Sequence, residues 1–255
     1  MNQEQQMLRR VQDAYRDEEL QISIDGKADT KRLNEALLAA AFFVYMSTAS
    51  DTMIPGQSFE PRYYPSDIID DDEQEQALRE AEKFTNSREE ALIISLGLSL
   101  FQVKAINSYR TLLINNSREA ERRALRDNRF DHIPEHSQAL IDIKVKRYAA
   151  NQRLYRQRTI ARVETTKAVN AGIHDTYAQA IEQGIISNVL RTWITARDER
   201  VRDSHWSIDG EVRGFSETWR TSAGNELRYP GDPNAPASEV INCRCTLSLT
   251  LVNSK

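Results

Sequence analysis

The chain contains two cysteines, Cys243 and Cys245, and a single arginine separates them. Thiolate sulfur and imidazole nitrogen are preferred ligands of zinc, and a Cys-x-Cys segment that bends can place both sulfurs on one ion. His205 would supply a nitrogen ligand. An oxygen ligand could come from one of three carboxylates close to it in sequence: Asp198, Asp203 or Asp209. The spacing is compatible with zinc, although Cys-x-Cys is less diagnostic than Cys-x-x-Cys and the chain has no second cysteine pair.

The same residue types allow three other interpretations of the cysteines. In a nucleophilic site, one thiolate would pair with His205 as base and with a carboxylate as orienting group, but a glycine-rich oxyanion loop is missing. A disulfide between Cys243 and Cys245 would close a small, strained ring. Two small side chains buried on the same face of a strand would need no chemistry at all. The residue types alone favour packing of the two cysteines, but they do not decide against a zinc site.

A basic segment lies upstream of the histidine and the cysteines. Residues 118–167 carry 13 Lys and Arg against 7 Asp and Glu, in a chain whose net charge is −4. Steps of three and four residues align parts of this charge along one helix face. We predict contact with the phosphates of double-stranded DNA, without sequence specificity, by these side chains: Lys144, Lys146, Arg147, Arg153, Arg156, Arg158 and Arg162. The alternative is a solvated helix face that pairs with acidic neighbours.

The elements that must position these residues change in type near residue 185. Apolar spacing predicts helices over residues 1–184, among them a basic helix over 136–171 that ends at Gly172. Strand signals then follow in this order: 189–196, a hairpin turn at Asp209-Gly210, 211–215 and 245–252. We therefore predict an α+β fold, in which a helical, partner-docking part (1–184) precedes a small β-rich C-terminal domain (185–255).

The composition bounds the class of protein. Charged residues make up 28% of the chain and aromatic residues 7%, as is typical of long, solvated helices. The two most apolar stretches, 33–46 and 91–103, are shorter than the ~20 residues that cross a bilayer, so we expect buried helices and no membrane partner. The first residues do not resemble a secretory signal, and two cysteines favour a reducing compartment. Residues 51–72 predict a long, proline-rich loop.

Three segments near the C-terminus combine into a family pattern. They read ARVETTKAVNAG from residue 161, TWITARDERVRDSHWSIDGEV from residue 192 and YPGDPNAPASEVINCRC from residue 229. Together they resemble the phage Mu F-like family of minor head proteins. The matching positions are Arg162, Glu164, Trp193, Asp198, Arg200, Arg202, His205, Asp209, Gly210, Pro230 to Pro233 and Ile241 to Cys245. The resemblance covers roughly residues 150–250, and the first 150 residues carry no family signature.

The resemblance implies a non-enzymatic head morphogenesis protein of a tailed double-stranded DNA phage or prophage. Such a protein is assembled in the host cytoplasm and lies inside the head near the portal vertex. Its partners are the portal protein and capsid or scaffold proteins, and it affects DNA packaging or ejection. The alternative is an enzyme, a nuclease or an ADP-ribosyltransferase-like effector, that uses the His205, Cys243 and Cys245 region.

The resemblance also assigns expectations to individual residues. It implies a structural role for His205, Cys243 and Cys245, and it strengthens the case for zinc there, with Asp209 as the further ligand. A structural motif around this cluster is expected from Trp193, Asp198, Arg202, Gly210, Asp232, Glu239, Asn242 and Arg244.

Overall fold

The computed structural model describes residues 2–25, 28–63, 68–115 and 137–252. Its helices are α1 (Gln3–Asp25), α2 (Thr30–Thr52), α3 (Asp71–Glu82), α4 (Arg88–Ser95), α5 (Leu100–Ile114), α6 (Gln138–Glu182), α7 (Asp203–Trp206) and α8 (Ala237–Val240). Its strands are β1 (Asn188–Ile194), β2 (Val212–Gly214), β3 (Trp219–Arg220), β4 (Glu226–Leu227) and β5 (Thr246–Val252). Helices α1 to α6 come first, and the strands follow with the short helices α7 and α8 between them, which confirms the predicted α+β class.

The chain divides into two compact units. Unit 1 comprises Met1–Arg10, Leu37–Ser66 and Thr159–Lys255, and unit 2 comprises Val11–Ala36 and Asp67–Arg158. The predicted division of the chain into 1–184 and 185–255 marks the change from helix α6 to strand β1, whereas the units divide inside α1, inside α2 and inside α6. Independent folding of 185–255 therefore stays a prediction.

The core of unit 2 is a cluster of apolar side chains from α3, α4, α5 and the first part of α6. The apolar stretch 91–103 supplies much of this cluster, but it forms two helices, because Ser99 begins α5 with a capping box that it completes with Gln102. Among the residues that the structure describes, no single helix is long and apolar enough to cross a membrane. Helices α4 and α5 pass that test only as a pair, and the chain bends by 120° between them.

Helix α6 corrects the predicted end of the basic helix at Gly172. The helix continues through Gly172 to Glu182, so this glycine does not terminate it. Within unit 1, a Cβ atom at position 172 would lie 3.0 Å from the carbonyl oxygen of Tyr45 and 3.2 Å from the Cβ of Thr48. The glycine is explained by this close approach of α6 to α2, since only a residue without a side chain fits the contact as it stands.

Residues 53–63 of the predicted loop 51–72 are held against the end of α6 in unit 1, while positions 51–52 belong to α2 and 71–72 to α3. Ser58 exchanges a pair of hydrogen bonds with the side-chain amide of Gln183 (3.1 and 2.8 Å), and Glu60 exchanges a pair with Gln179 (2.8 and 2.7 Å). The glutamine amides thus bind the loop backbone as a neighbouring strand would. This part of the loop is a strap with defined partners.

A three-stranded antiparallel sheet in the order β2-β1-β5 positions the C-terminal residues. Strand β1 lies in the centre, where Trp193 is opposite Leu247 and Leu190 is opposite Gly214. The predicted pairing of β1 with β2 is confirmed, but the connection is longer than a tight hairpin because it contains α7. Strands β3 and β4 form a separate two-stranded ribbon.

Candidate functional site

The predicted histidine and both cysteines lie together in unit 1. Short helix α7 presents His205, and the Nδ1 atom of its ring lies 3.7 Å from the sulfur of Cys243 and 3.4 Å from the sulfur of Cys245. One candidate ligand atom from each of the three residues falls within 4.8 Å of the others, and all three residues are buried. Asn242 has a positive φ of 58°, which bends the chain just before the cysteines. The bend that the zinc interpretation required is therefore present.

Glu239 occupies the other side of the histidine ring. Its Oε2 lies 2.9 Å from His205 Nε2, at ion-pair distance but outside the direction of a formed hydrogen bond. Three donors hold the carboxylate: the hydroxyls of Ser204 and Thr221 and the amide of Asn225, at 2.9, 3.1 and 2.9 Å. Burial alone would raise the pKa of Glu239, but these hydrogen bonds and the neighbouring His205 lower it below its ordinary value. Glu239 is therefore a buried carboxylate directed at the imidazole.

The two thiols behave as a pair. The hydrogen bond between them lowers the pKa of Cys243 to about 5, against the effect of burial and with help from His205. The same hydrogen bond, together with burial, raises the pKa of Cys245. The two thiols therefore influence each other's pKa, because each can stabilise the thiolate of the other.

Aromatic side chains enclose the cluster. Trp193 lies edge-on to His205, with ring centroids 5.3 Å apart, and edge-on to Trp219, at 5.4 Å. Both tryptophans are fully buried. The indole N–H of Trp193 has no formed hydrogen bond, yet it is close enough to Cys245 to oppose the rise in the pKa of that thiol. This wall excludes bulk water from one side of the cluster.

Charged side chains also surround the cluster, and Arg202 and Arg244 line the small cavity beside it. Arg202 donates hydrogen bonds to the carbonyl oxygens of Glu239, at 2.7 Å, and of Ile241. Arg244 forms a two-pronged ion pair with Asp198, at 2.7 and 2.6 Å. The Arg244 guanidinium lowers the pKa of Asp198 to about 2. Arg202 thus fixes the segment that carries Glu239, and the ion pair ties the cysteine segment to the chain ahead of α7.

Asp209, predicted as a further metal ligand, lies outside the group of neighbouring ligand atoms. Its carboxylate accepts hydrogen bonds from the backbone N–H of Thr195, at 2.8 Å, and from Arg197, at 3.0 Å. The adjacent Gly210 donates its N–H to the carbonyl oxygen of Trp193, at 2.8 Å. The Asp-Gly pair therefore fastens the end of the β1–β2 connection, which is a structural task.

The predicted Pro-Gly-Asp-Pro segment is also structural. Asp232 is buried and accepts hydrogen bonds from the side chain of Arg228, at 2.9 and 2.7 Å, and from its backbone. A Cβ atom on Gly231 would lie 3.1 Å from the Cα of Lys167, and the φ of Gly231 is 79°. Both observations require glycine where this loop packs on helix α6.

Arg191 is a buried residue that the sequence patterns did not single out. It is fully buried in strand β1 and donates hydrogen bonds to the carbonyl oxygens of Arg228 (2.7 Å), Gly214 (2.9 Å) and Glu217. Its guanidinium lies 4.8 Å from the centre of the Trp219 ring. Burial lowers the pKa of Arg191 to about 10, opposed by the charge of Glu217. The signal was available, because Arg191 falls on the inward side of the alternating strand.

The structure distributes the predicted DNA-binding residues among different environments. Three of them form ion pairs with carboxylates: Lys146 with Glu90, Arg153 with Glu19, and Arg162 with Glu4. Arg153 is only 11% exposed, and Lys144 and Arg156 are partly buried. Arg147 and Arg158 are exposed. For the paired residues, the structure supports the alternative of a helix face that neutralises acidic neighbours.

The central cluster offers two kinds of chemistry. Two thiols and an imidazole could bind a metal, and a thiol, an imidazole and Glu239 in a row also have the order of a nucleophilic triad. A nucleophile needs room for a substrate. The cavity next to the cluster measures about 10 Å³, which suits one water molecule, and Arg200, Arg202 and Arg244 help to line it. This geometry favours the metal.

Comparison with known proteins agrees with the C-terminal pattern. Residues 135–248 match the family model described as "Phage Mu protein F like protein". A curated relative, the uncharacterized protein YqbB of Bacillus subtilis (strain 168), is 31% identical over 101 residues, which are 39% of this chain and 32% of that protein. The aligned part thus spans about a third of the length of that relative. No solved structure matches the chain.

Proposed function

We propose that the protein is a minor head component that acts at the portal, because residues 135–248 match the phage Mu F-like family, which is one of phage head morphogenesis. In this role it joins the procapsid beside the portal protein and supports DNA packaging or ejection. It stays inside the head near the portal vertex. Portal, capsid and scaffold proteins are its partners, and it turns over no substrate.

One observation carries the proposal beyond the family match. The aromatic, imidazole and thiol side chains of the C-terminal pattern converge on a buried interior, while its arginines Arg200 and Arg244 lie exposed at the surface above it. His205, Glu239, Cys243 and Trp193 are each at most 2% exposed. Motif residues that stabilise the fold give a rigid surface, and a rigid surface suits binding to partner proteins during assembly.

Unit 2 provides the surface that we assign to the portal protein. Among the exposed large apolar side chains that the structure describes in unit 2, four lie on α5 and on the start of α6: Phe101 is exposed by 80%, Ile143 by 64%, Ile114 by 47% and Leu140 by 37%, while Leu20 on α1 and Tyr155 further along α6 are each exposed by 62%. Apolar side chains of this size on helices α5 and α6 are typical anchors for a helical partner surface.

DNA contact is the finer part of the proposal. Lys146, Arg153 and Arg162 already form ion pairs with carboxylates. We therefore assign phosphate contact to the two exposed arginines, Arg147 and Arg158. Each contact should contribute about 0.9 to the slope of log binding constant against log salt concentration. Replacing both arginines by glutamine should therefore lower that slope by roughly 2 if both touch DNA. An unchanged slope would remove DNA from the list of partners.

Co-purification tests the portal contact. The chain and the portal protein of the same phage or prophage are co-expressed, and the complex is measured after size-exclusion chromatography. We expect a complex that Phe101→Asp and Ile143→Asp each weaken at least tenfold. Val212→Asp is the matched control, because Val212 is an exposed apolar residue (49%) of unit 1. Equal binding by all three variants would refute the assigned surface, and the absence of any complex would refute the portal role.

A further inference from the structure

We propose that His205 and the two cysteines bind one zinc ion, through Nδ1 of the imidazole and the sulfurs of Cys243 and Cys245, with a water molecule as fourth ligand. In this arrangement Glu239 is the outer carboxylate that orients the histidine, and Asp209 is not a ligand. The inference concerns how the C-terminal region is held together. It does not depend on the portal role.

The distances between the candidate ligand atoms are those of a zinc site. Zinc binds sulfur at about 2.3 Å and imidazole nitrogen at about 2.0–2.1 Å in a tetrahedral site, so a nitrogen and a sulfur on the same ion lie about 3.6 Å apart. His205 Nδ1 lies 3.7 Å from the Cys243 sulfur and 3.4 Å from the Cys245 sulfur. Both nitrogen–sulfur distances are therefore close to those that an ion between the three atoms would impose, and all three atoms lie within 4.8 Å of one another.

Hydrogen bonds account for two of the three contacts in the cluster, one between the two thiols and one between Nδ1 and a sulfur, and leave the second nitrogen–sulfur contact unexplained. A neutral imidazole nitrogen either accepts one hydrogen bond or donates one, so Nδ1 can serve one of the two sulfurs well. Both sulfurs nevertheless lie within 3.7 Å of it. A cation held by all three atoms would satisfy each of them at once.

The surroundings of the cluster fit a metal-bound histidine. A histidine that binds a metal through one ring nitrogen generally directs the other at a carboxylate or carbonyl group, which fixes the tautomer. Here Glu239 lies 2.9 Å from Nε2 and is itself held by Ser204, Thr221 and Asn225. With the proton on Nε2, the lone pair of Nδ1 faces the two sulfurs.

The fourth position is assigned from the space that remains. The adjacent cavity of about 10 Å³ has room for one water molecule. Asp209 is committed to Thr195 and Arg197. Two thiolates neutralise the charge of the ion, and the buried, unpartnered N–H of Trp193 lies beside one of them. A water-capped ion without room for a substrate braces the fold.

The decisive experiment uses the full chain, purified without chelator and without added metal. Elemental analysis should approach one zinc per chain, and excess chelator should lower the melting temperature by several degrees. Cobalt(II) exchanged into the site should give a sulfur-to-metal charge-transfer absorption. Less than a tenth of a zinc per chain, together with a melting temperature that neither zinc nor chelator changes, would overturn the proposal.

Two variants keep the test informative even if the cysteine variants do not fold. Glu239→Gln removes the outer carboxylate and no ligand, so we expect one zinc per chain at saturation and a 10- to 100-fold weaker affinity in a chelator competition. His174→Gln is the matched control, since His174 stacks on Phe215 outside the cluster, and its affinity should equal that of the unmodified chain. Equal affinities for Glu239→Gln and His174→Gln would contradict the assigned arrangement.

Discussion

Arg191→Met should destabilise unit 1 by about 3 kcal/mol. The guanidinium of Arg191 binds the carbonyl oxygens of Arg228, Gly214 and Glu217 from a fully buried position. A hydrogen bond from a charged donor contributes ~1.5–3 kcal/mol, so three of them at the low end amount to about 5 kcal/mol. Burying a thioether in place of a desolvated cation recovers roughly 2 kcal/mol. The difference is the expected loss in the free energy of unfolding.

Tryptophan fluorescence during urea unfolding measures this loss. The three tryptophans of the chain are Trp193, Trp206 and Trp219, so the signal reports on the region around Arg191. Arg191→Lys retains the charge without the planar guanidinium group, so its loss in the free energy of unfolding should be about half that of Arg191→Met.

Arg220→Met is the control for this series, because Arg220 is exposed on strand β3, and it should change stability by less than about 0.5 kcal/mol. If Arg191→Met matched this control, the guanidinium would not be holding the three segments together.

Three further predictions concern other contacts of unit 1. Gly172→Ala should cost ~1 kcal/mol in a thermal melt, because crowding against the Tyr45 carbonyl (~1–3 kcal/mol) outweighs the better helix propensity of alanine (~1 kcal/mol); a more stable variant would contradict the close crossing. The pKa of Asp198 is lowered to about 2, so its pair with Arg244 should stabilise fully above about pH 4 and lose its effect as the pH falls towards 2; an Asp198→Asn variant whose melting temperature keeps the same offset from the unmodified chain at pH 2 and pH 7 would refute this. Gln57→Ala removes a 2.7 Å hydrogen bond from the strap to the backbone of α6 and should speed limited proteolysis of residues 53–63; an unchanged cleavage rate would show that the strap is held without it.

Local patterns predicted the helices, the central strands and the identity of the cluster. Cys243, Cys245 and His205 could be grouped by residue type because thiolate and imidazole are both ligands of zinc. The order of elements followed from the change of apolar spacing near residue 185.

Tertiary contacts account for what the sequence reasoning did not find. Gly172 looks like the end of a helix in the sequence, and only the close approach of the Tyr45 carbonyl oxygen explains why a glycine stands inside a continuous helix. Asp209 and Glu239 are both carboxylates near the cluster in sequence, and the choice between them depends on which one Arg197 already binds. The partners of a charged side chain are decided by distant segments, which a single sequence does not reveal.

The basic helix shows the same limit. Lys146 and Arg153 look like phosphate ligands in a linear count of charge, yet Glu90 and Glu19 meet them from other helices of unit 2. Net charge over a segment predicts the sign of a surface only when the neighbouring segments are known.

Cross-linking mass spectrometry on purified procapsids tests the central claim, action at the portal, most directly. The account predicts cross-links from exposed lysines of unit 2, such as Lys104 and Lys146, to the portal protein, in particles that contain the chain in few copies. Procapsids that lack the chain, or that show it cross-linked throughout the shell to the major capsid protein and never to the portal protein, would contradict it.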